Sequence, residues 1–357
     1  MTDVQSEVGA AAETVEPTAP DADENGAGTA RGLVDDRERE IAERAQRIAQ
    51  RSKPTRVVAA RVSIWLRLGE LWRARELFIF LVRKEIKVKY KNSVLGFLWS
   101  MLNPTFTLAV FFILFTYFLP NGIPTFVIYM FSAMLVWNLF QTAVMTGTST
   151  IVSNAAIVKK VAFPREILPL ASVGSAFMFF MFQSIVLLVF MLAFWHRPDW
   201  SAIWILIPAL AAIMVFAAAL AVFLSAVNVY LRDTQHLVEV ILLAWFWAIP
   251  GIYAFSGAVH AKLLSHKILG IKLLWVYFLN PVTPVVMSFQ RVFWNVVHPR
   301  YTSGPNAHKL IPNGVMARYG IHWYVAADLA VMGISFILLF GAMIVFGRLE
   351  GNFAEEL

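Results

Sequence analysis

From residue 94 onward the chain alternates long apolar runs with short polar links. Six runs approach or exceed the roughly 20 residues needed to cross about 30 Å of hydrocarbon. They cover residues 94–119, 126–149, 167–195, 202–230, 237–255 and 324–346. Ahead of them, Ile64, Leu68, Leu71, Trp72, Ile79, Val82 and Ile86 recur at helical spacing among Arg61, Arg67, Arg73 and Arg75. That pattern predicts an amphipathic helix over 64–92 lying in the membrane interface. The fold class is therefore an all-α membrane protein. It has six transmembrane helices, an N-terminal amphipathic interfacial helix, and a six-span body over 93–357.

The first 34 residues have almost no large apolar side chains, so they cannot offset their ordering entropy and are expected to be a disordered acidic tail. Residues 35–63 begin "DDREREIAERAQRIAQRS" and predict a charged helix and linker. Short-loop cations set the orientation. Arg83, Lys84, Lys87, Lys89 and Lys91 precede the first run. The link 120–125, "PNGIPT", has no charge, and the next link carries Lys159, Lys160 and Arg165. Both termini are expected on the cytoplasmic side of the plasma (inner) membrane.

The long link 256–323 departs from a simple loop. It holds seven Lys and Arg, no Asp or Glu, and the apolar stretch "LLWVYFLNPVTPVVMSF" over 273–289. Pro281 and Pro284 interrupt that stretch, so it reads as two half-helices that dip in and return on the outer side, over 273–296. Such backbone must be buried in protein or face water. One crossing instead of a dip would make seven spans.

Composition agrees with a multi-spanning protein. The chain of 357 residues is 59% hydrophobic and 15% charged, against about 25% charged in soluble domains. Residues 1–30 contain seven acids and no Lys or Arg, so with +7 overall the remainder carries +14. In a membrane protein that charge fits anionic lipid, not nucleic acid. With no cysteine, thiolate metal sites, disulfides and cysteine nucleophiles are excluded. The seven histidines are scattered without HExxH spacing, and no GxxxxGK[ST] phosphate loop occurs. No catalytic or metal-binding set is expected, and any ATP-driven work requires another subunit.

The stretch "IVKKVAFPREILPL", residues 157–170, lies between the second and third runs. With Ser153 or Asn154 as cap, it can form a short helix that presents Phe163 to a partner groove within a rim of Lys159 and Lys160. On the residues alone, a solvated loop obeying the positive-inside rule remains the alternative. Trp245 and Trp247 lie mid-run, where Trp is unusual. Either they line a pore, with Tyr253 and Asn103 as further candidates, or they serve ordinary helix packing. Two positions apart on a helix, the two Trp point about 200° from each other.

Four stretches together resemble the permease subunits of type 2 ABC transporters, in the branch that exports O-antigen, teichoic acid and other lipid-linked glycans. They are "RELFIFLVRKEIKVKYKNSVLGFLWSMLNP", "VKKVAFPREILPL", "NVYLRDTQHLVEVILLAWFWAIPGIY" and "LNPVTPVVMSFQRVFWN". The resemblance covers roughly residues 70–357. It implies that the helix bearing Arg83, Lys84, Lys87, Lys89, Tyr90 and Lys91 is an interfacial gate helix. It implies a coupling helix over 153–165, with Ser153, Asn154, Ile157, Lys159, Lys160, Phe163, Pro164 and Arg165 toward an ATPase. It also implies outward re-entrant half-helices around Asn280, Pro281 and Pro284. The arrangement it implies is a homodimer with two copies of a nucleotide-binding subunit. ATP and Mg sit on that subunit, no cofactor is held by this chain, and the substrate is a lipid-linked glycan. The alternatives are a type 2 exporter of drugs or lipids and a membrane-embedded glycosyl- or acyltransferase.

Overall fold

A computed structural model of the protein describes residues 64–91, 93, 95–118, 123–255, 263, 265–268, 271–295, 315–316 and 319–357. The predicted tail 1–34, the predicted charged helix 35–63 and parts of the link 256–323 lie outside the described residues.

The chain runs through α1 (Ile64–Arg73), α2 (Arg75–Lys89), α3 (Trp99–Ile113, prolonged by a π-helical turn Leu114–Phe118) and α4 (Phe126–Ser153). It continues with α5 (Ala155–Lys160), α6 (Ile167–Ala193), α7 (Leu206–Tyr230, preceded by a 3-10 turn Ile203–Ile205) and α8 (Thr234–Phe246). After α8 come a two-residue antiparallel pairing of Lys267–Ile268 with Ile271–Lys272, then α9 (Leu273–Phe278) and α10 (Val282–Phe293). The chain closes with α11 (Ile321–Leu349), a 3-10 turn (Glu350–Asn352) and α12 (Phe353–Glu356).

Among the described residues, five helical segments are long and apolar enough to cross a membrane: Trp99–Phe118, Phe126–Ser153, Ile167–Ala193, Ile203–Tyr230 and Ile321–Asn352. The predicted run 237–255 takes a different form. Its helix, α8, has 13 residues and is about 20 Å long at 1.5 Å per residue. Beyond it the chain turns around Pro250 and Gly251, because proline cannot continue the hydrogen-bond ladder.

Burial orders the bundle. In α4, 83% of the apolar window is buried, against 11% in the first segment, so α4 is the central helix and α3 a peripheral one. Small residues set the closest approach. A Cβ on Gly147 of α4 would stand 2.5 Å from the Ala221 Cβ of α7. The C-terminal ends of α7 and α11 meet where the Tyr230 hydroxyl donates to the Leu349 carbonyl at 2.7 Å.

The predicted helix 64–92 is two helices. They join at Ala74, whose φ of −85° and ψ of 14° leave helical geometry, while Ala74 N–H still bonds Glu70 and Phe78 N–H bonds Ala74. The result is a bend without loss of the ladder. The α2 helix rests on α6 at Gly174, where an added Cβ would lie 2.8 Å from Phe78 and 2.9 Å from Val82.

Pro104 lies inside α3, but three other prolines sit where their missing N–H costs nothing. Pro169 falls in the first turn of α6, and Pro281 and Pro284 open α10. One expected cap takes other partners. Asn154 occupies the N-cap position of α5, yet its side chain does not cap the helix. The Asn154 amide instead bridges Thr150 and Lys84, where a cation offers a stronger bond than a backbone N–H.

Candidate functional site

The basic stretch between the second and third spans forms a compact corner. Ser153 ends α4 and donates back to the Ser149 carbonyl at 2.9 Å. Asn154 Nδ2 donates to the Thr150 carbonyl at 2.8 Å, and Asn154 Oδ1 accepts from Lys84 Nζ at 2.7 Å. Val158 holds α5 down, at 2% exposure, while Ile157, Lys159, Lys160 and Val161 face outward. Phe163 is half-buried against the apolar cluster of Leu81, Leu168, Phe346 and Phe353. Pro164 starts the turn into α6 by accepting from Ile167 N–H. Arg165 turns inward: its Nη1 donates to the Glu350 carbonyl at 2.7 Å, and its guanidinium lies 5.9 Å from the Phe353 ring centroid.

The basic helix α2 faces two ways. Arg83, Lys87 and Lys91 are exposed. Glu85 points into the bundle and accepts from Ser172 at 3.0 Å and Ser175 at 2.6 Å, both on α6. Lys89, also exposed, lies 4.0 Å over the Phe179 ring, a cation–π contact, and partial desolvation lowers the ammonium pKa from the usual value. Tyr90 meets the same ring edge-on at 6.0 Å. Burial raises its hydroxyl pKa, opposed by the neighbouring Ser100 hydroxyl.

Lys89 and Tyr90 form one end of a cleft of about 500 Å³. Its polar lining comes from Asn103 and Thr107 on α3, Asn138, Gln141 and Thr142 on α4, and Gln183 on α6. Its apolar lining includes Trp99, Trp137, Phe179 and, on α8, Leu243 and Phe246. Near mid-helix, Asn138 Nδ2 donates to Gln183 Oε1 at 2.9 Å. That pairing leaves an amide oxygen and further N–H groups for a ligand. Among the described residues, no acid lines the cleft.

A third cluster gathers the remaining predicted residues. Trp245 packs edge-on against Phe140 and Phe216, and its Nε1 donates to Asn280 Oδ1 at 2.9 Å. The same oxygen accepts from Val282 N–H at 3.1 Å, which fixes the start of α10 beside Pro281 and Pro284. Tyr253 pairs with Tyr277 through their hydroxyls at 2.8 Å, and Tyr129 donates to the Tyr253 carbonyl at 2.9 Å. Trp247 is 59% exposed. Of the four channel candidates, Asn103 is in the cleft wall, whereas Trp245, Trp247 and Tyr253 lie outside it. Around α10, Asp199 and Arg291 form an ion pair at 2.7 Å. Burial acts to raise the Asp199 carboxyl, but hydrogen bonds from Ser201 and Arg291 and the Arg291 charge outweigh it and hold the pKa below the usual range. Asp328, fully buried in α11, accepts from Ser288 of α10 at 2.7 Å.

The partnerships Glu85 with Ser172 and Ser175, Lys84 with Asn154, and Asn138 with Gln183 were not among the sequence expectations. The two amides were visible as rare polar residues inside apolar runs, a signal that marks functional positions in membranes.

Residues 76–294 match the family model described as "ABC-2 type transporter". Among curated proteins, the chain is 32% identical to the O-antigen export system permease protein RfbA of Myxococcus xanthus over 289 residues, 81% of this chain and 98% of that protein. Two proteins of the same name from Klebsiella pneumoniae are 26% identical over 62% of this chain and 82% of the relative, and 25% identical over 79% and 95%.

Proposed function

The chain belongs to the ABC-2 type transporter family, and from that premise we propose that it is the membrane subunit of an ATP-driven exporter of a lipid-linked polysaccharide. The names of its relatives support an O-antigen-like glycan as cargo. The chain has no phosphate-loop sequence, so a separate nucleotide-binding subunit, carrying ATP and Mg, supplies the energy. The working unit in this reading is two copies of this chain with two ATPase copies. The five long helices and the shorter α8 with its following turns make six passes in the plasma membrane, with both termini cytoplasmic. In it α1–α2 is the interfacial helix, and α9–α10 the outward re-entrant pair.

The observation that carries the reading is a continuous connection. The outward-facing α5, with Ile157, Lys159 and Lys160 exposed, is joined through Asn154 and Lys84 to α2, and α2 ends as a wall of the amide-lined cleft. A charged hydrogen bond of this kind contributes about 1.5–3 kcal/mol, enough to make the two helices move together. When the ATPase closes on ATP, α5 is displaced, α2 follows, and Lys89 and Tyr90 withdraw from Phe179. The cleft then admits a glycan whose hydroxyls meet its amides and whose ring faces meet its aromatics.

The test is co-purification from native membranes in mild detergent with assay of ATP hydrolysis. A stoichiometric ATPase should accompany the wild-type chain and be lost from the double variant Lys159→Glu, Phe163→Ala. Undiminished association of that variant would remove α5 from the docking site.

A further inference from the structure

Arg165 falls inside the stretch assigned to ATPase contact, yet its guanidinium is engaged within its own chain. We propose that the C-terminal turn, residues 350–357, clamps the coupling loop 161–166 through Arg165 and Phe353, and so gives the ATPase a rigid lever. Arg165 and Phe353 are then positioning residues that act through α5. The inference rests on α5 being the docking helix, and it adds a mechanical role for a segment that the family match, ending at residue 294, does not include.

The loop has little internal hold. Val161–Arg165 is irregular, tied to α6 by the bonds of Ile167 N–H to Pro164 and Leu168 N–H to Arg165. At long range Arg165 Nη1 ties it to the Glu350 carbonyl, with the guanidinium over Phe353. Phe353 is itself fully buried, with Phe346 of α11 edge-on at 5.4 Å and Tyr230 of α7 at 6.2 Å. Tyr230 in turn holds the Leu349 carbonyl. The loop is thus bolted to the point where α7 and α11 end together. A force on α5 passes toward α2 through Asn154 and Lys84, and the loop is braced against α7 and α11 through Arg165 and Phe353. Without that brace the loop absorbs the displacement before it reaches α2 and the cleft.

The absence of cysteine from the chain allows a background-free test on the full chain in nanodiscs, with and without its ATPase. Nitroxides on Val161→Cys and Glu355→Cys, both exposed positions, report the loop-to-tail distance. Labelling of Thr142→Cys by a water-soluble maleimide reports the cleft. The clamp predicts a narrow distance distribution and an ATP-dependent labelling rate in the wild-type background. It predicts a broad distribution and no ATP response in Phe353→Ala and in Arg165→Gln, with Arg165→Lys restoring both in part and affinity for the ATPase unchanged in Phe353→Ala. Arg165→Gln leaves the apolar cluster intact, so it remains informative if Phe353→Ala fails to fold. A narrow distribution with a preserved ATP response in Arg165→Gln overturns the clamp. Survival of the complex in Lys159→Glu, Phe163→Ala overturns the docking reading instead, and the distance measured without ATPase still decides the clamp.

Discussion

Asn138 and Gln183 show how one residue pair decides what a cleft can hold. An amide in an apolar bundle is costly unless bonded, and one hydrogen bond at 2.9 Å partly satisfies each of these. Removing one partner strands the other, but replacing both with apolar residues of similar size is close to neutral for stability. The double variant Asn138→Leu, Gln183→Leu therefore separates folding from transport. It should assemble with the ATPase and unfold near the wild-type temperature, while glycan at the cell surface falls by about tenfold, the effect of losing roughly 1.4 kcal/mol of stabilisation. Surface glycan staining in cells lacking the wild-type copy measures it, and unchanged staining would remove the amides from the glycan path. Both amides could be read as polar positions in apolar runs. Their pairing could not, because it joins residues 45 apart in sequence through helix packing. Lys84 and Lys89 were likewise legible as cations of an interfacial helix, but their bonds to Asn154 and Phe179 needed the α2–α6 contact to exist first.

At the scale of elements, periodicity located the long helices well. The expected runs 126–149, 167–195 and 202–230 correspond to Phe126–Ser153, Ile167–Ala193 and Ile203–Tyr230. Length and hydropathy suffice there because lipid permits no other backbone state. The run 237–255 read as one span because its composition is uniformly apolar, while Pro250 and Gly251 end the helix early. The bend at Ala74 had no sequence signal, since alanine favours helix. The seat of α2 depends on Gly174, whose missing side chain leaves room for Phe78 and Val82. Gly174→Leu should lift α2 from α6 and expose Leu81, now 5% exposed. With Leu81→Cys as the sole thiol, maleimide labelling should be slow in the parent and faster by at least about tenfold with Gly174→Leu, the ratio that follows if some 1.4 kcal/mol of seating is lost. Equal labelling would mean that α2 is held elsewhere.

At the scale of the whole molecule, the cleft is the part that one chain leaves incomplete. Asn103, Trp99 and Leu243 line it and are also exposed, so its amides open sideways between α3 and α8. Exposed apolar side chains such as Phe106, Val110, Val240 and Ile241 are ordinary against lipid. A polar cleft opening on lipid is not, because hydrocarbon offers its amides no partner. A second copy that brings its own α3 and α8 against these would close the opening and join two polar clefts into one lumen. The dimer in the proposed function would close this opening, and it can be tested without knowing the glycan. In the chain as it stands, free of cysteine, Leu243→Cys should form a disulfide-linked dimer in native membranes under mild oxidant. Ile337→Cys, on the 73%-exposed face of α11 and outside the cleft wall, should not. Cross-linking at Ile337 with none at Leu243 would place the second copy on the opposite side, and each cleft would then need a cover other than its twin.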